Sequence, residues 1–185
     1  DKEYKWVAFS GRKKNYVGVL RDGRVDAKGI IGKKRNTPEF IKKLVADVIG
    51  LLKKADNVES LEEVTGEIKK VALDYYEMLR SRRIPLDELV FRVAITKPLA
   101  SYVKSTPQHV KAARQLQRLG RRVEVGDVIS FVKVRGGDGV KAVQLARIDE
   151  VDPEKYVEHV RTALEQILEA LGTSFEEILA GTQLM

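Results

Sequence analysis

Apolar and polar residues alternate over the first ten positions, Tyr4, Trp6, Ala8 and Ser10 on one side and Lys5, Val7 and Phe9 on the other, which is the period of an extended strand. A second run, Tyr16-Val17-Gly18-Val19-Leu20, leads into Asp22-Gly23 and out through Val25, Ala27, Ile30 and Ile31. Asp-Gly between two such runs predicts a hairpin with a type I′ turn, which needs positive φ at both central residues. A meander of three strands follows. Three strands are marginal alone, so Trp6, Phe9, Val17 and Val19 are expected to need a covering layer from something else.

From Asn36 the period lengthens to three and four residues. Thr37-Pro38-Glu39 offers an N-cap and a first-turn proline ahead of Phe40, Ile41, Leu44, Val45, Val48, Ile49 and Leu52. After a polar connector over residues 53–59, Ser60-Leu61-Glu62-Glu63 reads as a capping box that opens a helix to about Arg82. The apolar centre at residues 89–95 fits strand or helix, and the reading favours a loop with a brief extended piece. Thr106-Pro107 opens a third helix that Gly120 ends. Residues 128–134 and 140–146 flank Arg135-Gly136-Gly137-Asp138-Gly139 as a second hairpin. Asp152-Pro153-Glu154 caps a long amphipathic helix stopped by Gly172, and Ser174-Phe175-Glu176-Glu177 caps a short last one. The expected fold class is α+β, a short β-meander followed by a mainly helical domain with a β-hairpin.

Charge changes the picture. Residues 1–35 carry eleven Lys/Arg against Asp1, Glu3, Asp22 and Asp26, which accounts for the whole net charge of +7. A second positive segment, residues 97–122, holds seven Lys/Arg and no acidic residue. If the helical phase continues, Lys111, Arg114, Arg118, Arg121 and Arg122 share an arc about 100° wide, with Ala112, Leu116 and Leu119 opposite. Solvated surface helices ordinarily mix signs to gain i,i+4 pairs, so an unmixed stripe points to phosphates. Clustered cations displace the counterions condensed on a polyanion, which scattered charge cannot do; a solvated basic face is the bland alternative.

Composition narrows the chemistry. The absence of Cys excludes a disulfide framework, a thiol nucleophile and Cys-type zinc sites. His109 and His159 stand outside any ligand cluster or triad. Glu62-Glu63 and Glu176-Glu177 lie where helix N-termini favour negative charge, and no carboxylate pair has the pattern of a two-metal site. The glycine-rich loop lacks the Gly-Lys-Ser/Thr ending of a phosphate cradle. With neither a secretory signal nor an apolar run near 18 residues, a soluble cytoplasmic chain is expected. Its first residue, Asp, is expected to follow a natural start that lies elsewhere.

Several separated motifs then agree. Lys13-Lys14-Asn15-Tyr16 with Gly18, Asp22-Gly23, the segment from Lys33-Lys34-Arg35-Asn36 to Phe40, Lys97-Pro98-Leu99 with Tyr102, Thr106-Pro107-Gln108-His109-Val110 and Gly126-Asp127-Val128-Ile129 resemble the C-terminal part of archaeal family B DNA polymerases, in order and over essentially the whole chain. The resemblance implies that residues 1–31 are the C-terminal strands of a palm domain and 32–185 a thumb domain that closes around primer–template duplex. Lys13 and Lys14 would be phosphate or minor-groove contacts near the primer end, and Tyr16 a packing or backbone contact. Lys33, Lys34, Arg35, Asn36, Lys97, Tyr102, Lys104, Thr106, Gln108, His109, Lys111, Arg114 and Arg118 complete the expected DNA-binding set.

The family's metal-binding aspartates, nucleotide-binding helix and exonuclease carboxylates lie upstream of anything in this sequence. No catalytic residue or cofactor is therefore expected in this chain, and magnesium is expected in the complete polymerase. The expected partners are primer–template DNA and a large polymerase chain, or the rest of a longer one, carrying the exonuclease and palm/fingers; no membrane is expected, and the setting is the archaeal nucleoid. A sliding clamp is a further candidate partner, although Gln183-Leu184-Met185 lacks the two aromatics of the family's clamp-binding motif. The alternative is a stand-alone, sequence-independent nucleic-acid-binding module. A protein-interaction scaffold would leave the basic helix without a role.

Overall fold

Residues 2–11, 15–27 and 36–183 are described by a computed structural model. Among them run strands β1 (Tyr4–Phe9), β2 (Tyr16–Leu20), β3 (Val25–Ala27), β4 (Phe91–Ala94), β5 (Val128–Lys133) and β6 (Val140–Ala142), and helices α1 (Glu39–Leu52), α2 (Val58–Arg80), α3 (Gln108–Arg118), α4 (Glu154–Ala170) and α5 (Phe175–Gln183). They form two compact units, one of Asp1–Lys34, Ile41–Met78 and Val157–Met185, the other of Arg35–Phe40 and Leu79–Tyr156.

In the first unit β1, β2 and β3 make the predicted antiparallel meander. The register sets Trp6 opposite Val19 and Ala8 opposite Val17, so Trp6, Val17 and Val19 share one face, and all three are buried. Their cover comes from the unit itself: the Trp6 indole Nε1 donates to the Ala55 carbonyl at 2.8 Å. Phe9 does not belong with them. It pairs with Tyr16, one step out of phase, and is 68% exposed.

The turn between β2 and β3 is not type I′, because only Gly23 has positive φ, at 90°. The Gly23 N–H donates to the Leu20 carbonyl (2.9 Å) and the Leu20 N–H to the Arg24 carbonyl (2.8 Å), which marks a three-residue loop with the glycine at its bulge. Asp22 stays at negative φ and uses its Oδ1 to accept from the Arg24 N–H at 3.0 Å. Ile30 and Ile31 lie outside the described residues.

Helix α2 starts two residues before the predicted cap. Asn57 Oδ1 accepts from the Ser60 N–H (2.8 Å) and Ser60 Oγ from the Asn57 N–H (3.3 Å), a reciprocal box that closes before the Ser60–Glu63 pair could. Gly172, at φ 80°, ends α4, with Gly172 and Thr173 N–H groups donating back to the carbonyls of Glu169 and Leu168.

In the second unit β4, β5 and β6 form an antiparallel sheet with β5 central. Residues 91–94 are extended, preceded by a 3₁₀ turn at Leu86–Leu89. The second arm of the predicted hairpin is shorter than its apolar run suggested, since β6 gives way to a 3₁₀ turn at Val143–Leu145. The Phe91 ring stacks with both Phe131 and Tyr156, each 5.6 Å away between centroids. The buried Tyr156 hydroxyl donates to the Leu89 carbonyl (2.7 Å) and accepts from the Lys133 N–H (2.9 Å), while burial pushes its ionisation far up. Helix α3 lies against all three strands.

Candidate nucleic-acid interface

Helix α3 buries Val110, Ala112, Ala113 and Leu116. Its rotation is fixed by Gln115, whose Nε2 donates to the Val140 carbonyl (2.9 Å) and to Asp138 Oδ2 (3.0 Å), while Oε1 accepts from the Ala142 N–H (2.9 Å). The side chain pairs with the edge strand β6 as another strand's peptide would. The helix ends in a Schellman motif: Gly120, at φ 82°, donates to the Gln117 carbonyl and Arg121 to the Leu116 carbonyl. Helical phase therefore stops before Arg121 and Arg122, and neither continues the stripe. Leu119, expected on the packing side, is 60% exposed because it is the C-cap residue of the helix.

The segment before the helix brings several expected contact residues together. Lys97 Nζ sits 4.5 Å from the centroid of the Tyr102 ring, and that ring meets His109 edge-on at 6.4 Å. Desolvation holds the His109 imidazole below its ordinary pKa. Arg114 turns its guanidinium inward: Nη1 donates to Thr106 Oγ1 (3.2 Å), and Nη2 to the carbonyls of Leu99 (3.3 Å) and Tyr102 (3.0 Å). Lys104, Gln108 and Arg118 are exposed and Lys111 is half-buried. Asn36 is exposed, and its Oδ1 accepts from the Arg92 N–H at 3.0 Å.

No acid lies within residues 97–122, and Lys97, Lys104, Lys111, Arg118 and Arg121 form no ion pair among the described residues. Some other cations do: Arg122 with Glu124 just beyond the segment, Arg21 with Glu3, Arg24 with Asp22, Arg147 with Asp149, and the half-buried Arg161 with both Glu158 and Glu176.

The family model for DNA polymerase family B matches residues 7–178. The chain belongs to that family. This family B chain is 52% identical to DNA polymerase 1 of Sulfolobus acidocaldarius over 97% of its own length and 20% of that protein's. It is 44% identical to DNA polymerase 1 of Aeropyrum pernix over 96% of its length and 19% of that protein's. The structure of the family B DNA polymerase from the hyperthermophilic archaeon Pyrobaculum calidifontis is similar at a TM-score of 0.66 and 29% identity, covering 92% of this chain and 22% of that one. The chain thus spans about a fifth of the length of these two relatives. The archaeal family B resemblance seen in its motifs stands, and its mix of helices and small antiparallel sheets is similar in structure to a family B polymerase.

Of the family B chain's other basic region, Lys13, Lys14, Lys33, Lys34 and Arg35 lie outside the described residues. Tyr16 is half-buried, its ring 6.2 Å from that of Phe9. The neighbouring Asn15 is buried: its Nδ2 donates to Glu169 Oε2 (3.2 Å) and its carbonyl accepts from the Ser10 N–H (2.8 Å). Asn15 and Gln115 are the supporting residues that sequence reasoning missed, and an amide beside cations was the only signal either offered. Among the described residues no three His, Asp or Glu side chains group as metal ligands. No helix in them is long and apolar enough to cross a membrane.

Proposed function

We propose that this family B segment comprises the last palm strands (residues 1–31) and the thumb (32–185), and that it grips primer–template duplex through sequence-independent phosphate contacts. It completes a polymerase whose catalytic aspartates lie outside these residues. The carrying observation is the acid-free segment 97–122, where Lys97, Lys104, Lys111 and Arg118 stand without carboxylate partners on and beside a helix locked to its sheet. Duplex phosphates supply the missing counter-charge. They carry no base information, which suits an enzyme that must hold every sequence equally. Each phosphate neutralised releases condensed counterions and adds about 0.9 to the slope of log affinity against log salt.

Tyr102, under the Lys97 ammonium and against His109, adds a flat surface beside the charge. Lys13, Lys14 and Tyr16 are assigned to the primer end on the strength of the family motif. The magnesium of the complete polymerase has no fitting donor set among the described residues, and no step of nucleotidyl transfer is assigned to them.

Titrating the chain with two duplexes of unrelated sequence across a salt series tests this reading. Equal affinities that fall steeply with salt are expected. Strong sequence preference, or affinity indifferent to salt, would overturn it.

A further inference from the structure

The segment between Pro98 and α3 has almost no hydrophobic anchorage. Leu99 is buried, but from residue 100 to residue 107 no side chain is, and Val103 is 84% exposed. Its backbone bonds are local: the Ser101 N–H to the Pro98 carbonyl (3.0 Å), Tyr102 to Leu99 (3.2 Å) and Val103 to Ser101 (3.2 Å). A loop held this way opens easily unless something ties it to the body of the fold.

That tie is Arg114. Its guanidinium reaches back 8, 12 and 15 residues to Thr106, Tyr102 and Leu99, so one planar group spans both ends of the 3₁₀ turn at Leu99–Ser101 and the start of the helix. The carbonyl dipoles and the hydroxyl take up three of its donor directions. A cation so occupied offers little to a phosphate. The fork geometry is what serves three acceptors at once, and an ammonium on a flexible stem cannot reproduce it.

We propose that Arg114 is a positioning residue that holds residues 99–106 in one conformation, so that Lys97, Tyr102 and Lys104 meet the duplex together, and that it is not itself a phosphate contact. The duplex part of this inference rests on the function proposed above, whereas the brace does not.

Arg114→Lys separates the roles, because it keeps the charge and removes the fork. Hydrogen exchange of the Ser101 and Tyr102 amides reads the brace without any DNA, and these should exchange about tenfold faster in Arg114→Lys, with α3 amides unchanged. Thr106→Val, which removes one acceptor and leaves the helix intact, should accelerate the same amides by a smaller factor and serves if Arg114→Lys does not fold. Duplex affinity in Arg114→Lys should fall about as far as in Arg114→Ala, whereas a charge contact would survive in the lysine variant. Unchanged exchange in both Arg114→Lys and Thr106→Val overturns the brace. Faster exchange with full affinity in Arg114→Lys, while Lys97→Gln and Arg118→Gln weaken binding, overturns the positioning role. If the wild-type chain binds no duplex, the function proposed above fails, and the exchange result still decides whether Arg114 is the brace.

Discussion

The ring of Tyr4 on β1 lies over Gly18 of β2, placing the phenol oxygen 2.5 Å from Asp26 Oδ2 on β3. A Cβ at Gly18 would stand 2.9 Å from Tyr4 Cδ1 and equally close to the Trp6 carbonyl oxygen. The ring can move; the backbone oxygen cannot without disturbing the β1–β2 pairing. Gly18→Ala should therefore destabilise the fold by about 1–3 kcal/mol, the range for overpacking a tight site. Denaturant unfolding followed by the fluorescence of Trp6, the single tryptophan and itself buried, measures it at the affected sheet.

The same contact predicts a pH dependence with two flanks. Asp26 is held below the ordinary carboxylate range chiefly by the Tyr4 hydrogen bond, with Lys2 adding to it. This contribution is complete above an unfolded pKa of about 3.9 and is lost as pH falls through the depressed value. Tyr4 is pushed up to about 12, first by that hydrogen bond to Asp26. Its contribution is complete below an unfolded pKa of about 10 and is lost as pH rises towards the folded value. The difference in melting temperature between wild type and Tyr4→Phe should be level between about pH 5 and pH 9 and should shrink on both sides. A difference that stays level into acid would remove Asp26 from the account.

Gln115 supports the edge strand through both ends of its amide. Gln115→Ala leaves the Ala142 N–H and the Val140 carbonyl without these partners and should cost about 2 kcal/mol or more in unfolding free energy. Gln115→Glu keeps the acceptor, loses the donor to Val140 and sets a carboxylate beside Asp138. Its deficit should narrow on acidification below about pH 5, as the carboxyl protonates and regains a donor.

Local signals made the meander, the five helices and the acid-free segment legible, because alternation, caps and charge are properties of neighbouring residues. What they missed is carried by distance. Trp6 finds its acceptor 49 residues away, which is why its face looked uncovered. Two capping boxes competed at the start of α2, and composition alone does not say which closes. The basic arc assumed continued helical phase, which Gly120 breaks. A sequence shows that Arg114 is charged, but not that its donors turn to Leu99, Tyr102 and Thr106. The same blindness hid Gln115, whose partners lie 23 to 27 residues on.

Lys97, Lys111 and Arg118, which form no ion pair among the described residues, are the cations proposed to take duplex phosphates as partners. A variant carrying Lys97→Gln, Lys111→Gln and Arg118→Gln tests this against wild type by duplex affinity across a salt series, with circular dichroism to confirm the fold. Three lost phosphate contacts should flatten the slope of log affinity against log salt by about 2.7, at about 0.9 for each. A slope unchanged from wild type in a folded variant would rule out phosphate contact by these three side chains and return this surface to solvent.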